Sequence, residues 1–208
     1  MPKIGDHIAT VKEIDHKIWS ASTSFPVIIG VPQAKTLNLL IKRREIKQMT
    51  DWVHTTGELA DTWSHRPNIY KRSVRSLQIF PHLVTYVNGT ITDTGGAHPN
   101  YFFDGARWAF FDHKWHQISA KDIFKPGVNW LKEVRNEVDP ILKSKGAEFL
   151  LNGTVKTLPK EDAEEFVITS TGITFYVNPY DVGPWVQGSF IVSVPFANFS
   201  GLNKTILP

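Results

Sequence analysis

Asp93 and His98 lie on either side of Gly95-Gly96. A carboxylate that orients an imidazole can turn it into a general base near neutral pH. Adjacent glycines can also expose backbone N–H groups to an anion. The same residues equally describe a structural loop, with glycine supplying a positive φ and His98 closing a strand end. His113 and His116 form a second close set. On a helix that spacing would aim two imidazoles at one metal. The flanking residues read instead as a hairpin, where positions three apart point to opposite faces. Glu161-Asp162 and Glu164-Glu165 read as a solvated loop or helical turn, with a divalent-cation site as the alternative. No Gly-rich phosphate loop, no His-Glu-x-x-His and no Gly-x-Ser-x-Gly occurs, and there is no cysteine. No residue pattern calls for a cofactor or a resident metal.

The elements that must position these residues mix strands and helices without strict alternation. This predicts an α+β fold of two small sheet-plus-helix subdomains with mostly antiparallel strands. Residues 1–16 read as an N-terminal tail, 17–93 and 94–197 as the two subdomains, and 198–208 as a C-terminal tail. Residues 17–31 are β-rich and interrupted at Pro26. A helix follows, with Thr36 as its N-cap and Leu37, Leu40, Ile41, Met49, Trp52 and Val53 on one face, ending before Gly57. Residues 57–68 read as a loop or short helix. Ser73 to Phe80 alternates polar and apolar, as a strand with one buried face does. Asn88-Gly89 is either a type I′ hairpin turn or a close approach within one long strand. Tyr101–Phe111 and Trp115–Ile118 predict a hairpin turning at Asp112-His113-Lys114. A second helix starts at Asn129, is kinked or restarted by Pro140, and stops at Gly146. Phe166–Thr169, Ile173–Val177 and Phe190–Val194 supply the closing strands. Gly96 is expected to need a backbone conformation closed to valine.

The chain has 208 residues and a formal net charge of +3. Between positions 35 and 75, nine basic residues face four acidic ones, an excess suited to an anionic partner. A nucleic-acid reading would need one contiguous basic face from Lys42, Arg43, Lys47, Arg72 and Arg75. The sequence has no recognisable nucleic-acid motif, and nucleic acid is not the expected partner. No stretch approaches the roughly 20 apolar residues of a membrane span. Residues 1–16 lack the apolar core of a signal peptide. Asn88, Asn152, Asn198 and Asn203 each open an Asn-x-Ser/Thr sequon.

Three segments carry a resemblance to a known family. They are Phe25-Pro26-Val27-Ile28 with Thr36-Leu37-Asn38; Thr94-Gly95-Gly96-Ala97-His98-Pro99-Asn100 followed by Ile118 to Phe124; and Phe175 to Pro184. Together these resemble the two-domain extracytoplasmic module of RsiV-like anti-sigma factors, which sense lysozyme, and the accessory domains of peptidoglycan deacetylases. The resemblance spans roughly residues 17–197. It implies an α+β fold, a periplasmic, secreted or lipoprotein location with the export signal outside this chain, and a non-catalytic role at the cell envelope. The deacetylase chemistry does not carry over, because its metal-binding motifs are missing. The partner so implied is peptidoglycan, another wall polymer, or a wall-acting protein such as lysozyme. Lysozyme is strongly cationic, so the basic 35–75 region suits an anionic wall polymer better.

The expected ligand-binding residues are Thr94, Gly95, Gly96, His98, Asn100 and Tyr101 in one segment, and Tyr180, Asp181 and Trp185 in the other. Tyr101, Phe102, Tyr180 and Trp185 offer flat apolar faces for a sugar or a protein hot spot. Two alternatives remain. One is a hydrolase of wall material using Asp93 and His98, with Asp181 as a further acid. The other is a cytoplasmic nucleic-acid-binding protein.

Overall fold

The computed structural model describes residues 8–16, 18–57 and 67–208. Among these, nine strands and three α-helices make the expected α+β fold. In chain order they are β1 (Ile8–Asp15), β2 (Trp19–Pro26), α1 (Ala34–Trp52), β3 (Asn68–Phe80), β4 (Leu83–Asp93), β5 (Asn100–Phe111), β6 (Lys114–Gln117), α2 (Trp130–Ser144), α3 (Glu148–Leu151), β7 (Phe166–Ile168), β8 (Gly172–Val177) and β9 (Phe190–Pro195). Strands β1 to β6 form one sheet in sequence order, and β7-β8-β9 form a second. The chain divides into two compact units, Met1–Leu77 with Asn88–Phe102, and Gln78–Val87 with Phe103–Pro208. Each of β3, β4 and β5 contributes to both units, so the division is not a single cut near residue 93.

In the first unit, β2 and β3 run parallel, in register from Trp19↔Asn68 to Thr23↔Arg72. Parallel neighbours cannot be joined by a tight turn, and α1 lies in the crossover between them. Strand β1, within the segment read as a tail, pairs antiparallel with β2. The start of α1 differs from expectation. Gln33 precedes it in the left-handed region at φ 47, with no side-chain cap, and Thr36 lies inside the first turn. The helix gives way to a single π turn at Val53–Gly57. Most of the predicted 57–68 loop lies outside the described residues.

Helix α1 buries Leu37, Ile41 and Met49, with Val53 continuing the stripe one turn later. Glu45 falls in the middle of this apolar row and is fully buried. Its carboxylate accepts from Arg72 Nε at 2.6 Å and Asn88 Nδ2 at 2.8 Å, and it also pairs with Arg44. Arg72 further donates to Thr90 Oγ1 at 2.9 Å. Arg72 is only 2% exposed, so it cannot belong to the contiguous basic face that a nucleic-acid reading requires of it.

The same network settles Asn88-Gly89. Both lie inside the continuous strand β4, and Asn88 is fully buried, which removes it as a glycosylation acceptor in the folded chain. A Cβ on Gly89 would collide with the Tyr101 hydroxyl and the Arg75 side chain, which cross over it. Arg75 also lies 5.7 Å from the centre of the Tyr101 ring.

In the second unit, β5 and β6 form the expected hairpin. Asp112 and His113 take φ 50 and 60, the two left-handed positions of a type I′ turn. His116 stacks on Phe111 at 3.9 Å between ring centroids, while His113 is exposed in the turn. Among the described residues no group of three or more His, Cys, Asp or Glu could hold a metal ion.

Asn129 caps α2, its side chain accepting the Lys132 N–H at 3.1 Å. The helix then runs through Pro140 as one element to Ser144, rather than restarting. Its buried face, Val134, Val138 and Leu142, shares a core with Phe166, Ile168, Ile173, Phe175, Val192 and Val194 of the second sheet. No helix among the described residues is long and apolar enough to cross a membrane.

Removing the Glu45 carboxylate leaves Arg72 charged and buried without its counter-ion. Glu45→Ala should cost about 3–5 kcal/mol of stability in urea unfolding. Replacing both partners, as Glu45→Leu with Arg72→Met, should recover most of that loss. A double variant as unstable as the single one would show that the ion pair is not what organises this core.

Candidate functional site

The expected site residues fall into both units. In the first, Asp93 ends β4 and is buried, and its Oδ1 accepts the Gly95 N–H at 3.0 Å. This bond turns the chain immediately after the strand, as Asx turns do. Thr94, Gly95, Gly96 and Asn100 are exposed, and His98 and Tyr101 are half-buried. His98 Nδ1 lies 3.0 Å from the Pro99 carbonyl, which can only accept, so Nδ1 carries the proton in that bond. Each of these bonds shapes the loop.

The glycine constraint falls on a different residue than expected. Gly95 has φ 85, whereas Gly96 has no positive φ, and a Cβ on it would meet nothing closer than 3.9 Å.

In the second unit, Asn178 anchors the turn that carries Tyr180, Asp181 and Trp185. Its Oδ1 accepts the Phe103 N–H at 2.6 Å. Its backbone N–H and its Nδ2 both donate to Asp162 Oδ1, at 3.1 and 2.9 Å. Tyr180 sits at φ 73, a left-handed position that a non-glycine residue holds only when its surroundings enforce it. Val182 is fully buried, and its carbonyl accepts the Phe149 N–H at 2.9 Å. Gln187 closes the far side: its Oε1 accepts the Glu148 N–H at 3.3 Å, and its Nε2 donates to Gly146 O at 3.0 Å. Braced in this way, the turn leaves Tyr180 51% and Trp185 41% exposed.

The paired acids expected in a solvated loop are mostly turned inward. Glu164 Oε2 accepts the Ala120 N–H at 2.7 Å and faces Arg107 at 3.3 Å. Glu165 accepts the Gly105 N–H. Arg107 also stacks over the Phe166 ring at 4.1 Å.

Asp162 is fully buried. Its Oδ1 takes both Asn178 donors, while its Oδ2 has no donor. Burial first, and the negative charge of Asp181 second, push the Asp162 carboxyl up to about 8. A proton on Oδ2 resolves the unmatched oxygen, because the protonated acid can donate to Asp181. The arrangement is a carboxyl–carboxylate pair with one member buried and the other, Asp181, half-buried. Asp181 stands out in the sequence as a candidate acid, whereas Asp162 is legible only as one of four acids read as a solvated loop or a cation site, since no local signal separates it from its neighbours.

Residues 121–197 match a family model described as a protein of unknown function, DUF3298. The fold is similar to the crystal structure of a DUF3298 family protein from Pseudomonas aeruginosa, with a TM-score of 0.66 and 13% identity. That match covers 97% of this chain and 96% of the other. It is also similar to a DUF3298 family member from Bacteroides fragilis, with a TM-score of 0.51 and 15% identity, covering 93% and 92%. No curated protein sequence matches the chain.

The folded chain keeps the Asp162 proton up to about pH 8, while the unfolded chain releases it near the ordinary aspartate value of 3.8. Between those limits the folded state binds more protons, so its stability falls as pH rises and levels off above about 8. Asp162→Asn carries a permanent donor in place of the proton and should flatten that decline in unfolding curves taken across the window. A variant curve parallel to the parent's would place the proton elsewhere. Separately, Gly95→Val should cost about 1–2 kcal/mol, through a φ that valine resists. Gly96→Val should stay within about 0.5 kcal/mol in the same assay.

Proposed function

We propose that this protein is a non-catalytic, extracytoplasmic binding module that recognises a cell-wall polymer. The observation that carries the reading is the Asn178–Pro184 turn, which holds Tyr180 and Trp185 partly exposed on either side of Asp181. A flat aromatic face suits the apolar side of a sugar ring, and a neighbouring carboxylate accepts from its hydroxyls. The bracing of the turn supports recognition, because little order has to be gained when a ligand binds. The resemblance of Thr94–Asn100 and of Phe175–Pro184 to the envelope modules supports the location at the wall. A wall-acting protein such as lysozyme is the competing ligand.

The test is co-sedimentation with purified peptidoglycan beside capture on immobilised lysozyme. Peptidoglycan should retain the parent protein, and Trp185→Ala with Tyr180→Ala should weaken retention by about tenfold or more. Retention on lysozyme alone would move the assignment to a protein ligand. Release of soluble sugar or peptide fragments, abolished by His98→Ala, would replace it with the hydrolase reading.

A further inference from the structure

The outer face of α1 belongs to no site described above. Leu39 and Ile46 are seven residues apart, two helical turns, and so share one face. Leu39 is 56% exposed, although the helix already has a complete buried stripe on its other side. Leu39, Ile46 and Thr50, together with Lys42, Arg43, Lys47 and Asp51, line a shallow open groove of about 440 Å³. At 100° per residue, Lys35 and Lys42 fall on one side of the Leu39–Ile46 ridge, and Arg43 and Lys47 on the other. Lys42 and Arg43 are exposed and make no hydrogen bond or ion pair among the described residues. Lys47 pairs with Asp51 at 2.5 Å, both of them well exposed, and surface pairs of that kind are easily exchanged for another anion.

We infer that this face of α1 is a docking surface for an anionic lipid bilayer. An apolar ridge of the exposed Leu39 and the half-buried Ile46, bordered on both sides by cations, offers a bilayer both attractions that hold proteins at its interface, apolar burial and headgroup neutralisation. The ridge enters the boundary of the acyl chains while the cations meet the anionic headgroups. A soluble anionic polymer would use the cations but gain nothing from Leu39 and Ile46, so the two apolar residues favour a bilayer. This surface lies on a different unit from the Tyr180–Trp185 turn and does not depend on the wall-binding reading.

The experiment is flotation of the full chain with vesicles of phosphatidylglycerol in phosphatidylcholine, beside vesicles of phosphatidylcholine alone. Binding to the anionic vesicles is expected, weakened by salt, with little binding to the neutral ones. Lys42→Glu with Arg43→Glu should lower binding by more than about tenfold. Leu39→Ser with Ile46→Thr should lower it by about threefold or more while thermal unfolding stays near that of the parent. Equal binding to neutral vesicles would overturn the inference, as would full binding by the charge-reversed variant. Unchanged binding by the apolar variant, together with equal capture by a soluble acidic polymer, would overturn it in favour of plain electrostatic attraction. A dimer in sedimentation velocity that Leu39→Ser dissolves would overturn it in favour of a second copy of this chain.

Discussion

A carboxylate withdrawn from water must be met by donors or take up a proton. Glu45 illustrates the first outcome. It stands at the centre of a helical stripe that is otherwise apolar, and Arg72 and Asn88 reach it from two adjacent strands. Those bonds tie α1 to β3 and β4 at one register, since sliding either strand by a residue would turn its partner side chain to the opposite face. Desolvating such a network is expensive, so removing one partner costs more than replacing the whole network by apolar side chains of similar volume.

Asp162 illustrates the second outcome. It has two donors on one oxygen and none on the other, beside a second acid, so a shared proton completes it. The two donors come from Asn178, the residue that opens the turn bearing Tyr180, Asp181 and Trp185. The same hydrogen bonds that accommodate a buried acid therefore fix the turn that displays two partly exposed aromatic rings. Glu164 and Glu165 work alongside it, taking the backbone N–H groups of Ala120 and Gly105. Three of the four acids thus bind the chain's own donors, Asp162 fully buried and Glu164 and Glu165 half-buried, while Glu161 stays exposed.

Helix α1 has to serve both sides. Its inner stripe closes over the first unit, and its outer face combines apolar side chains with cations, of which Lys47 pairs with Asp51. A simple amphipathic reading sees the helix as apolar inside and charged outside. Leu39, 56% exposed, and the half-buried Ile46 add apolar surface to that outer side.

Much of the framework was legible in the residues. Alternation identified β3, the Asp112-His113 corner predicted the β5–β6 hairpin, and Asn129 marked the start of α2, because each of these depends on near neighbours along the chain. Asn88-Gly89 was readable only as two alternatives, since its role depends on Arg75 and Tyr101 crossing above it. The Gly95-Gly96 pair was recognisable as a corner, but which glycine carries the positive φ was decided by the Asp93 side chain capping Gly95. The α+β class, the strand and helix periods and the main turn positions were thus determined by the sequence itself, because they arise from local backbone preference and the spacing of apolar residues. Only the tertiary structure decided which charges are internal. Glu45 meets partners 27 and 43 positions away, and Asp162 meets one 16 away. Nothing in a charged residue's type says whether folding will leave it in water or bring its partner to it.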